Sequence, residues 1–272
     1  MSKTTANTVL ITGASEGIGL EIARQAIAGG AQTLLVARDR RKLEAAAANL
    51  PGAHRPEVAV VDLAGAAALE TFIEELDRRG FVPDLLVNNA GQGASGAYAD
   101  EAWPKLDAML RLNMLALARL THWGAARMKA AGRGAIVNLS AAVATRPTPY
   151  FAAYAASKAF VTNLSVALDK ELRPYGVTVS AIHPPAVKTS FADPVKANLR
   201  STLVLKLFPA VSAATVARSV LRAGQSGRRS IMVGPIAAVI MASAPVMPRF
   251  LDLAFMSLLF KGRRSAAAAN RA

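Results

Sequence analysis

Short apolar runs alternate along the chain with longer stretches in which apolar residues recur at helical spacing. The short runs are rich in Val, Ile and Leu, as is typical of parallel strands buried on both faces. The sequence predicts seven strands: Val9–Thr12, Thr33–Ala37, Val58–Asp62, Leu85–Asn88, Ala135–Leu139, Val177–Ile182 and Ser230–Val233. The longer stretches predict six helices: Gly19–Ala28, Arg40–Leu50, Ala66–Arg79, Lys105–Lys129, Tyr154–Arg173 and Ser212–Ala223.

This alternation predicts an α/β fold, because each strand is followed by a helix that returns the chain to the same sheet. Right-handed crossovers of this kind build a doubly wound parallel sheet with helices on both faces. We expect one domain over residues 1–233, with an irregular, Pro- and Phe-rich insertion at about 184–209 that covers a substrate. Residues 234–272 form an extension that is first apolar and then basic.

Composition narrows the classes of protein. The chain has 272 residues, of which 53% are hydrophobic and 18% charged, which excludes a disordered polyelectrolyte. Cysteine is absent, so disulfide scaffolds, zinc–thiolate sites and cysteine nucleophiles are excluded. The three histidines, His54, His122 and His183, are scattered, and we expect no metal site.

The formal net charge of +14 favours anionic partners such as phosphates, an acidic membrane surface or nucleic acid. No nucleic-acid-binding module is recognisable, so we do not expect that partner. No uninterrupted apolar stretch reaches about 18 residues, and the polar start does not resemble a signal peptide. We expect a cytoplasmic protein, with membrane contact through Lys261, Arg263 and Arg264 as an option.

A glycine-rich turn, Thr12 to Gly19, follows the first strand and opens the first helix. Gly13 suits a tight turn, Gly17 allows the backbone to approach a pyrophosphate, and Gly19 allows close packing of helix and strand. The helix N-terminus supplies amide donors and a favourable dipole for phosphate. The turn therefore predicts a dinucleotide site.

The end of the second strand indicates which dinucleotide is bound. A free ribose 2′-hydroxyl favours a carboxylate here, whereas this chain has Ala37 and then Arg38, with Arg40 and Arg41 close by. Such a cluster suits a 2′-phosphate, so NADP(H) is favoured over NAD(H). A register shift of one residue would place Asp39 there and reverse the preference.

Two further motifs complete a resemblance. Asn88-Asn89-Ala90-Gly91 follows the fourth strand, and Tyr154-Ala155-Ala156-Ser157-Lys158 lies on a helix. In order and separation, these motifs and the glycine turn resemble the short-chain dehydrogenase/reductase family over Val9–Val233. The resemblance implies a Rossmann fold, a nicotinamide cofactor, hydride transfer to or from a carbonyl, and a homodimer or homotetramer built on the long helices Lys105–Lys129 and Tyr154–Arg173.

The chemistry of the third motif is consistent with that activity. Tyr154 and Lys158 are four residues apart, so they share one helix face. An ammonium beside a phenol lowers the pKa of the phenol. Tyr154 can then exchange a proton with a carbonyl or alcohol as general acid or base.

The resemblance assigns further roles by position. It implies that Lys158 holds the nicotinamide ribose and that Asn113 belongs to a water-linked proton relay. Beyond these, the family's cofactor contacts fall on Gly13, Ser15, Gly17, Ile18, Gly19, Asp62, Leu63, Asn89, Ala90, Gly91, Tyr154, Val187 and Thr189.

The chain departs from the family at its fourth catalytic residue, a serine thirteen positions before the tyrosine. That position is Ala141, and Ser140 lies one residue earlier. Strand side chains alternate, so Ser140 would face the other side unless a bulge or an extra loop residue turns it into the site. We favour Ser140 as the fourth catalytic residue. Tyr150 or Thr145 could instead donate the hydrogen bond, or the role is lost.

A second departure is Pro185, which stands where the family usually has glycine. The Pro184–Pro185 pair, with the basic apolar extension, is also similar to 3-ketosphinganine reductases. The apolar insertion predicts a hydrophobic, lipid-like ketone as substrate. The leading hypothesis is an NADP(H)-dependent reductase of such a ketone, and the alternative is a cofactor-binding regulatory protein with weakened chemistry.

Overall fold

One parallel sheet organises the molecule. In the computed structural model, which describes residues 6–52, 55–187, 210–244 and 246–260, seven strands pair in the order β3-β2-β1-β4-β5-β6-β7. The strands are β1 Thr8–Thr12, β2 Gln32–Ala37, β3 Glu57–Val60, β4 Leu85–Asn88, β5 Gly134–Leu139, β6 Val177–His183 and β7 Ser230–Met232. The predicted doubly wound α/β fold, a single domain, is confirmed.

Helices cover both faces of the sheet. They are α1 Gly17–Ala28, α2 Arg40–Ala48, α3 Ala66–Arg78, α4 Trp103–Leu110, α5 Leu117–Ala131, α6 Ala152–Leu172, α7 Ala213–Ser226, α8 Gly234–Ser243 and α9 Arg249–Phe260. The predicted helix Lys105–Lys129 is divided by a π-helical turn, Arg111–Ala116. A π turn adds a residue to one helical turn and is frequent at functional sites.

The side-chain alternation of the strands separates two apolar cores. Val9 and Ile11 of β1 face one core, and Leu10 between them faces the other. Since both faces are covered, most strand positions are apolar, which explains the apolar runs in the sequence. Each fully buried Val, Leu or Ile contributes about 1.5–3 kcal/mol relative to an exposed one.

A buried carboxylate fixes α6 against the sheet. Asp169 is fully buried, accepts a hydrogen bond from the backbone N–H of Val179 at 3.1 Å, and pairs with Arg173 and Arg229. Burial alone raises the pKa of Asp169, but the hydrogen bonds from Arg173, Arg229 and Val179 outweigh it and lower the pKa. The helix that carries the predicted tyrosine and lysine is thereby tied to β6.

The helices α8 and α9 are joined to the body by a second buried ion pair. Arg146 Nη1 donates to Asp252 Oδ1 at 2.8 Å, and Arg146 Nη2 donates to Ser243 Oγ at 2.8 Å. Arg146 and Asp252 are 6% and 4% exposed. Arg146 directly follows the 3₁₀ turn Ala142–Thr145, so the pair connects the end of the β5 loop to α9. Among the described residues, no helix is long and apolar enough to cross a membrane.

This ion pair generates a stability prediction. Asp252→Ala leaves the Arg146 charge buried without its partner, and breaking such a pair costs about 3–5 kcal/mol of unfolding free energy. The loss appears in urea unfolding, or as earlier trypsin cleavage at Arg249 if α9 detaches first. The double variant Arg146→Met/Asp252→Leu, which removes both charges, should recover most of the stability. Unchanged unfolding and cleavage in Asp252→Ala would contradict the assigned role.

Candidate active site

The carboxyl ends of β1, β4, β5 and β6 meet at one edge of the sheet because the strands are parallel. The strand order reverses between β1 and β4, since β2 lies on the far side of β1. In open α/β sheets, ligands bind in the crevice at such a point. All three sequence motifs lie at this edge.

The glycine turn after β1 is tightly packed. Gly13 has φ +66°, and a Cβ on it would lie 2.9 Å from Ala90 Cα. A Cβ on Gly19 would lie 2.2 Å from the Gly13 carbonyl oxygen, a distance that no side chain tolerates. Gly17, with φ +59°, opens α1. These glycines bring main chain, rather than side chains, to the crevice.

Thr12 and Asn89 hold the turn in place. Thr12 Oγ1 accepts hydrogen bonds from the backbone N–H groups of Asn89 and Ala90, each at 3.0 Å. Asn89 Nδ2 donates to the carbonyls of Thr12 at 3.0 Å and Gly13 at 3.1 Å. The segment after β4 therefore supports the segment after β1. Sequence reasoning missed Thr12, although its position directly before Gly13 was the available signal.

The N-terminus of α1 fits a phosphate group. Its N-cap residue, Glu16, makes no side-chain hydrogen bond to the helix. The first amides of α1 therefore receive no side-chain cap, and the helix dipole favours an anion there. Ser15 and Ile18 flank this turn and are half-buried, with Ile18 packed against the core.

The segment after β2 presents Arg38 to the crevice edge, whereas the carboxylate of the neighbouring Asp39 is used to cap α2. Asp39 caps α2 by accepting a hydrogen bond from the Lys42 backbone N–H at 3.0 Å. Arg40 pairs with Glu44 at 3.0 Å. Arg38 is exposed, and within the described part of the chain it forms no ion pair. This edge therefore offers a free guanidinium to a bound anion.

The remaining expected cofactor contacts are spread along the edge. Leu63 is buried in the core, while Asp62 is exposed and accepts a hydrogen bond from the Ala64 backbone N–H at 3.1 Å. Val187 forms an isolated parallel bridge with Val211. Thr189 and most of the predicted insertion, residues 188–209, lie outside the described residues, as do the basic positions 261, 263 and 264.

Tyr154 and Lys158 lie in the first two turns of α6 and are almost completely buried, at 8% and 4% exposure. Lys158 Nζ lies 5.7 Å from the centre of the Tyr154 ring and donates to the Leu139 carbonyl at 2.8 Å. The ring of Phe151 stacks on Tyr154 with centroids 4.4 Å apart. The pair predicted from spacing is thus brought together at the end of β5.

Burial controls the protonation of this pair. Desolvation raises the pKa of Tyr154 above its ordinary value and lowers the pKa of Lys158 to about 8. The sequence predicts a lowered tyrosine pKa, and the chain's own residues produce the opposite direction. The cause is desolvation of the buried phenol, which disfavours its charged form. Tyr154 is therefore held as a phenol, ready to donate a proton.

Asn113 lies in the π turn and is fully buried. Its Oδ1 accepts from the Gln92 backbone N–H at 2.9 Å, and its Nδ2 donates to the Gln92 carbonyl at 2.9 Å and to Ser157 Oγ at 3.1 Å. A Cβ on Gly91 would lie 3.2 Å from Asn113 Oδ1 and 3.5 Å from Lys158 Nζ. Asn113, Gly91 and Lys158 therefore converge on one point. Sequence reasoning missed the supporting Gln92 and Ser157.

Ser140 points away from Tyr154. Its hydroxyl donates to the Lys158 carbonyl at 2.9 Å and lies 2.8 Å from Thr162 Oγ1, while its backbone N–H still bonds to Ile182 as in a regular strand. This placement corrects the expectation that a bulge turns Ser140 into the site. The strand alternation persists, and Ala141 instead packs in a cluster with Phe151 and Tyr154.

The alternative donors differ in position. Thr145 is exposed, and Tyr150 is half-buried four residues before Tyr154. Tyr150 has φ +62°, which for a bulky residue costs about 1–3 kcal/mol. Its carbonyl accepts a hydrogen bond from the Gly96 backbone N–H at 2.9 Å, which joins this loop to the segment that follows β4.

Comparisons with known proteins agree with this geometry. A family profile described as short chain dehydrogenase matches residues 7–200. The ketoacyl reductase 1 named for the granaticin polyketide synthase of Streptomyces violaceoruber is 36% identical over 193 residues, 69% of this chain and 70% of that protein. A very-long-chain 3-oxoacyl-CoA reductase of Pyrenophora tritici-repentis is 32% identical over 189 residues, 67% of this chain and 55% of that protein.

A solved structure gives the same result for the fold. The structure of a short-chain dehydrogenase from Sphingobium yanoikuyae in complex with NADPH superposes with a TM-score of 0.78. It is 30% identical in sequence, and the match covers 88% of this chain and 92% of the other.

Proposed function

Since the chain belongs to the short-chain dehydrogenase/reductase family, we propose that it is an NADP(H)-dependent reductase of a hydrophobic, lipid-like ketone, with Tyr154 as general acid. That the protein is an oxidoreductase using a nicotinamide cofactor and a carbonyl or alcohol follows from the family itself. The observation that carries the finer proposal is the buried pair of Tyr154 and Lys158, set in an apolar cluster beside the glycine turn.

The residues of the crevice fit a nicotinamide dinucleotide, because a close-packed glycine turn leads into a helix without a side-chain cap. The bound cofactor supplies the hydride. In the proposal, Gly13, Ser15, Gly17, Ile18 and Gly19 hold the pyrophosphate. Arg38 holds a 2′-phosphate, Asp62 and Leu63 the adenine, and Asn89, Ala90, Gly91, Lys158, Val187 and Thr189 the nicotinamide end.

Tyr154 is protonated at neutral pH and can therefore serve as the general acid of a reduction. A phenol with a raised pKa is protonated at neutral pH, as a general acid must be, whereas alcohol oxidation needs the phenolate. Tyr154 donates its proton to the carbonyl oxygen as the hydride arrives at the carbon. The charge on Lys158, close behind it, stabilises the phenolate that remains.

In the proposal, Asn113 and Ser140 are positioning residues that act on neighbouring groups rather than on the substrate. Asn113 fixes the Gln92 main chain and Ser157, and its Oδ1 has capacity for a second hydrogen bond, which we assign to a water of the proton relay. Ser140 holds the Lys158 carbonyl and therefore positions the lysine. Neither role requires contact with the substrate.

An apolar wall around Tyr154 supports an apolar substrate. The buried members of this cluster are Ala94, Leu106, Met109, Ala141, Phe151 and Tyr154. An apolar wall of this kind favours an apolar substrate over a hydrated one. The name of the Pyrenophora relative, which specifies a very-long-chain 3-oxoacyl-CoA, is in keeping with this choice.

The protein should form a homodimer or homotetramer through the face built by α4, α5 and α6. Trp103 and Leu115, each 61% exposed, and Val166, 38% exposed, lie on this run of helices. Large apolar side chains with this much exposed surface favour contact with another chain. A cytoplasmic location, with contact to a membrane surface, stays a prediction.

The alternative, a cofactor-binding regulatory protein, rests on one observation. Ala141 offers a methyl group where the family has a hydroxyl donor, and loss of one such donor costs about 100- to 1,000-fold in rate. Tight cofactor binding without turnover of any ketone would favour it.

The proposal predicts turnover that depends on Tyr154. We expect NADPH consumption with ketones, rising with chain length, and a loss of about 100-fold or more in kcat for Tyr154→Phe, since the general acid is removed. Rates with purified protein and a homologous series of ketones test this. Phe160→Leu, a change on the same helix outside the site, is the matched control. Turnover that survives in Tyr154→Phe would remove the tyrosine from the mechanism.

The lowered pKa of Lys158 predicts the pH dependence of reduction. Below about 8 the lysine is charged and supports Tyr154; above it the charge, and with it the rate, is lost. We expect kcat/KM to be level at neutral pH and to fall above about 8, as measured in a single mixed buffer. Lys158→Arg, which stays charged, should move the fall to higher pH. A profile that rises through 8 would contradict this sign.

The orientation of residues 140 and 141 predicts that a substitution at residue 141 changes catalysis, whereas a substitution at residue 140 changes stability. Ala141→Ser restores a hydroxyl beside Tyr154 and should raise kcat/KM, by up to about 100-fold. Ser140→Ala removes hydrogen bonds to α6 and should lower the free energy of unfolding by about 1 kcal/mol. A 100-fold loss of kcat in Ser140→Ala at unchanged pH profile and stability would instead make Ser140 the donor.

Arg38 predicts the cofactor preference. Arg38→Ala removes the free guanidinium and should raise KM for NADPH on the order of tenfold while leaving KM for NADH unchanged. Initial rates at varied cofactor concentration measure both constants. Arg24→Ala, an exposed arginine of α1, controls for the loss of charge. Equal changes for the two cofactors would show that Arg38 does not contact the 2′-phosphate.

A further inference from the structure

The helix α9 is unusual in how little of its surface faces the protein. Among its side chains that the structure describes, only Asp252 and Met256, one turn apart, are buried. The other large apolar residues are open to solvent: Phe250 at 72%, Leu251 at 50%, Leu253 at 38%, Phe255 at 41% and Leu258 at 65%. Val246, on the connection from α8, is 78% exposed. Contiguous apolar surface of this kind marks an interaction site.

The exposed face does not serve the docking of α9. That task belongs to Met256 and to the ion pair between Asp252 and Arg146, which lie on the opposite side. Substitutions at its most exposed positions, Phe250 and Leu258, therefore leave the contacts of Asp252 and Met256 with the body intact. The apolar residues there have another use.

Charge indicates what covers this face. From residue 249, where α9 begins, to residue 272 the chain contains five Lys and Arg residues and a single acidic residue, Asp252. This segment therefore carries a net charge of +4, and its one carboxylate is paired with Arg146. Lys261, Arg263 and Arg264 follow directly after α9 in the sequence. An apolar helix beside a cluster of cations matches the interface of an anionic membrane.

A second copy of the chain fits this face poorly. A two-fold interface brings each patch against itself, so the basic residues next to α9 would face their own copies. No acidic residue follows Asp252 to neutralise them. The face of α4, α5 and α6 is available for contact between copies without this repulsion.

We infer that the exposed face of α9, with the basic residues that follow it, docks the protein onto an anionic lipid surface. The α8–α9 pair also packs on the turn Ala142–Thr145 and on Arg146. That turn follows Ala141, which lies in the apolar cluster around Tyr154. The docked helix pair therefore contacts the loop that continues from the reaction centre, and an apolar ketone dissolved in the bilayer is the substrate that this placement favours. This last step rests on the proposed function, whereas the docking surface does not.

The test is flotation of the full chain with vesicles, without cofactor or substrate. We expect binding to vesicles of phosphatidylcholine and phosphatidylglycerol in equal parts, much weaker binding to phosphatidylcholine alone, and release by salt. Phe250→Ser/Phe255→Ser/Leu258→Ser should weaken binding at least about tenfold. Val58→Ser/Val82→Ser, exposed residues on the body, is its control.

A second set of variants isolates the charges. Lys261→Gln/Arg263→Gln/Arg264→Gln should weaken binding to the anionic vesicles roughly 100-fold. Arg24→Gln/Arg78→Gln/Lys105→Gln removes the same number of exposed charges elsewhere and should bind as the unmodified protein. If the two triple variants weakened binding equally, the attraction would depend only on the net charge of the protein and not on where the charges lie. That result would overturn the assigned surface.

Two further outcomes overturn the inference. One is the absence of binding to anionic vesicles by the unmodified protein. The other is a serine variant that binds lipid normally but sediments as a smaller oligomer, because that result would assign the face to a second copy. Turnover of a short, water-soluble ketone is measured separately for every variant. Failure of the reductase proposal appears only in that assay, and failure of docking only in flotation.

Discussion

The hydrogen bonds between Thr12 and Asn89 join the two chain segments that leave the sheet in opposite directions at the switch point. Two glycines of the turn have positive φ angles and no side chains that could fix this conformation. Hydrogen bonds from residues outside the turn therefore stabilise it. Asn89 does so by donating to the carbonyls of Thr12 and Gly13, and Thr12 Oγ1 accepts hydrogen bonds from the backbone N–H groups of Asn89 and Ala90 after β4. The same segment continues through Gly91 to the meeting point of Asn113 and Lys158. Cofactor site and proton donor are thus positioned by one connected network.

Much of this arrangement is readable from the sequence, because parallel strands impose strong local rules. Continuous apolar runs and the positions of Gly13, Gly17 and Gly19 predict the sheet and its crevice, and spacing alone places Tyr154 and Lys158 on one face. Alternation along β5 also predicts that Ser140 and Ala141 face opposite sides, and the structure keeps that alternation. The expectation of a bulge failed because a regular hydrogen bond to Ile182 holds Ser140 in the strand.

Other features depend on tertiary contacts that no local pattern reveals. The π turn around Asn113 follows from the hydrogen bonds of that residue with Gln92 and Ser157, which are distant in sequence. The pKa of Tyr154 depends on how completely the ring is desolvated, and a spacing of four residues indicates only that a lysine is near. The pairing of Arg146 with Asp252 joins residues more than a hundred positions apart, so neither residue signals the other.

That ion pair explains how a lipid-facing helix and a reaction centre coexist in one small domain. A helix that packed through a broad apolar face would bury the side chains that contact a membrane. In α9 only Asp252, paired with Arg146, and Met256 are buried among the described side chains, and the other apolar residues stay exposed. The same pair neutralises Asp252, the only acidic residue from position 249 to 272, so no second carboxylate of this segment offsets the basic residues that follow α9 in the sequence. Arg146 directly follows the turn Ala142–Thr145, so the residue that holds α9 is covalently continuous with the end of β5. Docking and catalysis thus share a loop while drawing on different residues.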